Sequence, residues 1–136
     1  MNKLEYIPGD LVMVKKSALQ FAKDKIFKVI SSLSGGFLKV VMLNDSSTTY
    51  SISNNAIRPI PLTSEILEKN GWKDDGYDWY RLPTKRAYLY ITKDITTLGE
   101  FLVCVGLDRH NLASINFVHQ LQHILFGLNI NHKMEV

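Results

Sequence analysis

One cysteine, four prolines and no long apolar run set the first limits on this chain of 136 residues. A lone Cys104 can form no internal disulfide and no Cys-rich zinc site. The longest apolar stretches, such as Val40-Val41-Met42-Leu43, fall far short of the ~20 residues a membrane helix requires. The opening Met-Asn-Lys-Leu-Glu-Tyr-Ile-Pro-Gly-Asp has neither the apolar core of a signal peptide nor a small-residue cleavage site. These absences lead to the expectation of a reduced, soluble, cytoplasmic protein with no membrane contact. Charge of one sign is also scarce: 16 Lys+Arg against 13 Asp+Glu leave +3, too little to declare a nucleic-acid partner. Catalytic signatures are missing as well. Gly35-Gly36 is not followed by the Gly-Lys-Ser/Thr of a phosphate loop, and no serine sits in a Gly-x-Ser-x-Gly elbow. Asp74, Asp75 and Asp78 lack the spacing of a calcium loop. The expectation is therefore a protein that is not an enzyme, with no cofactor and no metal.

What the chain does have is a globular share of apolar residues, 46%, and a polarised layout. Residues 1–61 carry seven Lys and one Arg against four acids; residues 62–136 carry eight basic and nine acidic side chains. The change falls near Ile60-Pro61-Leu62, which predicts two lobes, 1–61 and 62–136. The first reads as five short strands: Leu11–Val14, Ile26–Ile30, Phe37–Leu43, Thr48–Ser53 and Ile57–Ile60. Gly35-Gly36 supplies the positive φ angles of a hairpin turn. Five strands with a tight turn before the last resemble the order of an SH3-like small barrel, whose closure removes exposed edges.

The second lobe opens with a helix capped by Thr63 and stopped by Gly71, with Leu62 and Leu67 at staple spacing. Three strands follow, Tyr77–Leu82, Lys85–Thr92 and Leu98–Leu107. A last helix covers about Phe117–Leu128, with Asn116 as a cap. The expected fold class is thus α+β, mainly β: a small barrel, a helix, a three-stranded antiparallel sheet and a C-terminal helix.

Two surfaces are candidates for function. Tyr77 to Tyr90 packs five aromatics and three cations into fourteen residues. Rings stack on bases and cations neutralise phosphates, so Tyr77, Trp79, Arg81, Lys85, Arg86, Tyr88 and Tyr90 form a candidate ligand site. Strand alternation places Tyr77, Trp79 and Arg81 on one face, and Arg86, Tyr88 and Tyr90 on one face of the next strand. The plainer alternative is cross-strand aromatic pairing that covers a sheet. On the last helix, Phe117, Val118, Leu121, Ile124, Leu125 and Leu128 form a core stripe. His119, Gln122, His123 and Phe126 fall opposite and form a candidate self-association surface. His119 and His123 stand four apart, as in a metal-binding helix, but Gln120 occupies the position of the general base, so the preferred reading is a polar face. Lys15, Lys16, Lys23, Lys25, Lys28 and Lys39 make the first lobe basic. Cys104, within Phe101-Leu102-Val103-Cys104-Val105, reads as a buried, inert thiol.

Pro61-Leu62-Thr63-Ser64-Glu65-Ile66-Leu67-Glu68-Lys69-Asn70-Gly71-Trp72 and Ile115–Leu128 resemble a broad family of small proteins encoded by gut anaerobes and their phages and mobile elements. That resemblance implies a phage-type accessory protein in the cytoplasm of a host bacterium, and it carries no catalytic residue. The leading expectation is a binding protein, homo-oligomeric, that binds a host protein or sequesters a phosphate-bearing small ligand such as a signalling nucleotide in counter-defence. The alternatives are a nucleic-acid-binding module using the basic barrel and a structural virion component.

Overall fold

The architecture, taken from a computed structural model, is described for residues 6–14, 25–43, 45–76, 79–84, 88–93 and 101–136. The chain divides into two compact units, Met1–Ile60 and Pro61–Val136. It is mainly β, with two antiparallel five-stranded sheets and two α-helices among the described residues.

The first unit holds β1 (Leu11–Val14), β2 (Ile26–Leu33), β3 (Phe37–Met42), β4 (Asp45–Ser53) and β5 (Ile57–Pro59). They pair in the order β4-β3-β2-β1-β5, a meander whose last strand returns to the first. Alternation drives this arrangement: Phe27 and Val29 are fully buried while Lys28 between them is exposed. Gly35 and Gly36, at φ 77° and 80°, turn β2 into β3, conformations that L side chains rarely adopt. A short 3₁₀ turn, Asn54–Ala56, precedes β5; the Ser53 hydroxyl accepts from Asn55 N, and Asn54 N donates to Gly36 O at 2.8 Å. The core gathers Tyr6, Val12, Val14, Phe27, Val29, Leu38, Val40, Ile52 and Ile57. Each fully buried side chain of this size contributes about 1.5–3 kcal/mol. Phe27 meets Tyr50 edge to face at 6.0 Å.

The second unit begins with α1 (Ser64–Lys69), capped by Thr63 Oγ1 accepting from Ile66 N at 3.2 Å. Gly71, at φ 87°, ends it. Trp72 N donates to Leu67 O and Gly71 N to Glu68 O, the paired bonds of a Schellman turn. Then come β6 (Lys73–Gly76), β7 (Trp79–Leu82), β8 (Leu89–Lys93), β9 (Phe101–Val105), β10 (His110–Ile115) and α2 (Val118–Gly127). The sheet is a simple meander, β10-β9-β8-β7-β6. Sequence reasoning expected three strands here; the described residues form five. The two missed strands are its edges. All four β6 residues, Lys73-Asp74-Asp75-Gly76, are exposed, and β10 buries only Ile115, so neither has the apolar alternation that marks a strand. Backbone pairing to β7 and β9 makes them strands.

Leu89, Ile91, Phe101, Val103 and Ile115 from the sheet, with Val118, Leu121 and Leu125 of α2, are buried core. The helix starts one residue later than expected. Phe117, not Asn116, is its N-cap, and Gln120 Oε1 caps it by accepting from Asn116 N (2.7 Å) and Phe117 N (3.0 Å). It ends in a second Schellman turn, with Asn129 at φ 58°, Ile130 N on Leu125 O and Asn129 N on Phe126 O. The residues after it form no strand among themselves. Asn70 holds them by a two-way amide clamp: its Nδ2 donates to Glu135 O, and its Oδ1 accepts from Glu135 N, both at 2.7 Å. No helix among the described residues is long and apolar enough to cross a membrane.

Candidate functional site

The register of the second sheet decides which predicted residues meet. Arg81 lies opposite Tyr90, and Tyr90 opposite Cys104; Trp79 lies opposite Thr92. Directly opposed residues share a face, so Arg81, Tyr90 and Cys104 form one cross-sheet row, with Trp79 on the diagonal. The rings of Trp79 and Tyr90 stand perpendicular, centroids 6.3 Å apart, and form a corner. Tyr77, Lys85 and Arg86 lie outside the described residues. Tyr88 is exposed and borders a small hollow with Arg81.

The corner is filled by a residue that sequence reasoning did not pick out. The Arg109 guanidinium carbon sits 4.6 Å from both ring centroids, a double cation–π contact. Its backbone explains how it gets there. Gly106 (φ 86°) and Arg109 (φ 53°) shape the tight β9–β10 turn, closed by Arg109 N donating to Gly106 O at 3.0 Å. Gly106 holds a left-handed φ that L side chains rarely adopt, so the turn favours glycine there; the Asp108 carboxylate, 2.9 Å from a Cβ built at this position, could swing aside.

Asp75 completes the site. It is the extra residue of a bulge in β6, between Asp74 opposite Tyr80 and Gly76 opposite Trp79. The bulge aims its carboxylate at two guanidiniums: Arg81 Nε at 3.7 Å and Arg109 Nη2 at 3.3 Å. Lys73, opposite Arg81, stands on the same face. One carboxylate therefore faces two guanidiniums, and both arginine side chains remain about two-fifths exposed. Beneath them Cys104 is fully buried, with Sγ donating to Asn111 Oδ1 at 3.4 Å. Burial pushes its thiol pKa up, against the opposing charge of Arg109. Its burial is the one expected from sequence. The signals that could have found Arg109 and Asp75 were local: a cation after Gly106-Leu107-Asp108, and the turn-forming Asp75-Gly76.

The helix face needs a correction. His119 and Gln122, expected on the solvent side, are buried, 2% and 0% exposed. Hydropathy sent them to water, but the chain after α2 runs back over them, and Gln122 Nε2 donates to His132 O at 3.1 Å. His119 stacks on Phe117 at 6.0 Å and meets His123 edge-on at 5.5 Å. Burial, helped by His123, lowers its pKa to about 4. Of the predicted surface, His123 is half-buried and Phe126 is 58% exposed, with its ring edge-on to His132 at 5.1 Å. Among the described residues no three His, Cys, Asp or Glu side chains converge as a metal site would need. Of the first-unit lysines, Lys25 and Lys28 are exposed and Lys39 is half-buried; Lys15, Lys16 and Lys23 lie outside the described residues. No protein-family model and no curated protein sequence matches this chain.

Proposed function

We propose that this is a non-enzymatic binding protein that captures a phosphate-bearing small ligand on the Arg81–Arg109 face of its second unit. The observation that carries this reading is the convergence of two part-exposed guanidiniums on a single carboxylate, beside a perpendicular Trp79–Tyr90 pair. Arginine presents a planar fork that matches phosphate oxygens. Stacking in the aromatic corner fixes Arg109 before any ligand arrives, which lowers the ordering cost of binding. Counter-defence by a phage-type accessory protein, which the sequence resemblance implies, belongs to the same proposal. So does self-association through Phe126 and His123, the two residues of that helix face that are not buried. The finer description of the first unit as an SH3-like small barrel is supported by the order β4-β3-β2-β1-β5 and the 3₁₀ turn before β5.

The test is calorimetry with pyrophosphate and a panel of linear and cyclic nucleotides. The wild type binds, Arg109→Ala loses tenfold or more, consistent with about 1.5–3 kcal/mol for a charged hydrogen bond, and affinity falls with added salt. No heat from any member of the panel at low salt overturns the reading.

A further inference from the structure

Asp75 sits where an anion would. Its two carboxylate oxygens are divided between the guanidiniums, Oδ1 at 3.7 Å from Arg81 Nε and Oδ2 at 3.3 Å from Arg109 Nη2. A phosphate group presented to the same two arginines would set its oxygens against the same donors. The carboxylate is thus an anion supplied by the chain itself, and a ligand anion has to take its position.

The hold is loose. Close Arg–carboxylate pairs sit at about 2.7–2.9 Å, and both of these contacts are longer. The Asp75 side chain is one-third exposed, and each arginine more so. Ion pairs this open to water are weak, and salt weakens them further. Arg109 does not depend on Asp75 for its place, because Trp79 and Tyr90 hold its guanidinium carbon 4.6 Å from each ring centroid. The neighbouring Asp74 is engaged elsewhere. Its Oδ1 accepts from Gly76 N at 2.9 Å, and it lies opposite Tyr80, on the other face from Lys73 and Arg81.

We propose that Asp75 is a tethered competitor, a specificity residue that fills the anion position between Arg81 and Arg109 and yields it only to a ligand with more than one negative charge, such as a diphosphate. This rests on the phosphate-capture reading of the same face. A single charge gains little by exchanging with an attached carboxylate of equal charge, whereas a multiply charged group gains on both arginines at once.

The test titrates pyrophosphate and the singly charged dimethyl phosphate into the full chain at low salt, by calorimetry, as wild type, Asp75→Asn and Asp74→Asn. Both substitutions fall at exposed positions, and tryptophan fluorescence in urea checks that the variants stay folded. Wild type should bind pyrophosphate and give no heat with dimethyl phosphate. Asp75→Asn should bind pyrophosphate about three- to tenfold more tightly, the scale of two exposed ion pairs, and Asp74→Asn, which removes the same charge one residue away, should change it by less than about twofold. Weaker or unchanged pyrophosphate binding by Asp75→Asn overturns the proposal and leaves phosphate capture standing. Equal gains in both variants, or equal binding of the two anions by wild type, overturn it as well. If Asp75→Asn binds pyrophosphate and wild type does not, the competitor stands and phosphate capture by the wild type falls. Silence from wild type and Asp75→Asn alike removes both.

Discussion

The two sheets have the same number of strands and the same antiparallel pairing, but they bury different chemistry. The core of the first unit is a set of valines, isoleucines, leucines and aromatics clustered on Phe27, with one fully buried carboxylate, Asp10, that accepts from Ile7 N at 2.8 Å. The second unit also buries Tyr90 and Cys104 beneath Arg109, and His119 and Gln122 within α2. An apolar core tolerates rearrangement provided that its volume is conserved. A buried polar group does not, because it requires a partner at a defined distance. In the first unit that constraint falls on Asp10 alone among the described residues; in the second it falls on His119, Gln122 and the groups beneath Arg109.

The largest effect that could break this contrast is Phe27→Ala. The substitution should destabilise the first unit by about 3–5 kcal/mol, the usual cost of emptying an aromatic core position. Both tryptophans, Trp72 and Trp79, belong to the second unit, so their fluorescence follows that unit alone. Urea unfolding should show the loss in hydrogen exchange at Val29 and Val40, with the fluorescence midpoint unmoved. A joint shift of both would mean that the two cores melt as one.

Next in size is a pH effect confined to the second unit. His119 has its pKa lowered from 6.5 to about 4 when folded. Between those values the unfolded chain binds a proton that the folded chain refuses, so stability rises with pH across the window and is lost as pH falls toward 4. A shift of that size corresponds to about 3 kcal/mol. Among the groups packed against His119 are the Phe117 ring and the His123 ring. Chemical denaturation followed by tryptophan fluorescence between pH 7 and 4 should show this slope, and His119→Gln should flatten it. An unchanged slope in the variant would place the pH dependence elsewhere.

The smallest effect sharpens the contrast at the site itself. Arg109→Ala should cost only about 1 kcal/mol of stability, the scale of cation–π contacts at a partly exposed position. It should also change the Trp79 emission markedly. A loss of several kcal/mol would make Arg109 a structural pin first and a ligand group second.

Much of the framework was readable in the residues. Alternation around Phe27, the glycine pair before Phe37, the Thr63 cap and the Gly71 stop all act through local backbone preference, which the sequence carries directly. What escaped were features that depend on pairing partners far along the chain. Strand β6 has no apolar residue, so only β7 makes it a strand. Gln122 looks solvent-facing until the later His132 carbonyl comes over it. At the candidate site, Trp79, Arg81 and Tyr90 were legible as an aromatic–cation group. Their occupant Arg109 and counter-ion Asp75 were not, because one is delivered by a turn about twenty residues later and the other by a bulge.

That bulge has an evolutionary consequence. Asp75 reaches the arginines because β6 carries one residue more than its partner strand across Asp74–Gly76. Removing Asp75 would leave Asp74 and Gly76 in regular pairing with Tyr80 and Trp79 and take the carboxylate away from the arginines. The electrostatic identity of the site is therefore more vulnerable to a three-nucleotide deletion than to most point substitutions. Among diverging copies of this gene, length variation at Asp74-Asp75-Gly76 should be the first place where recognition changes while the sheet survives.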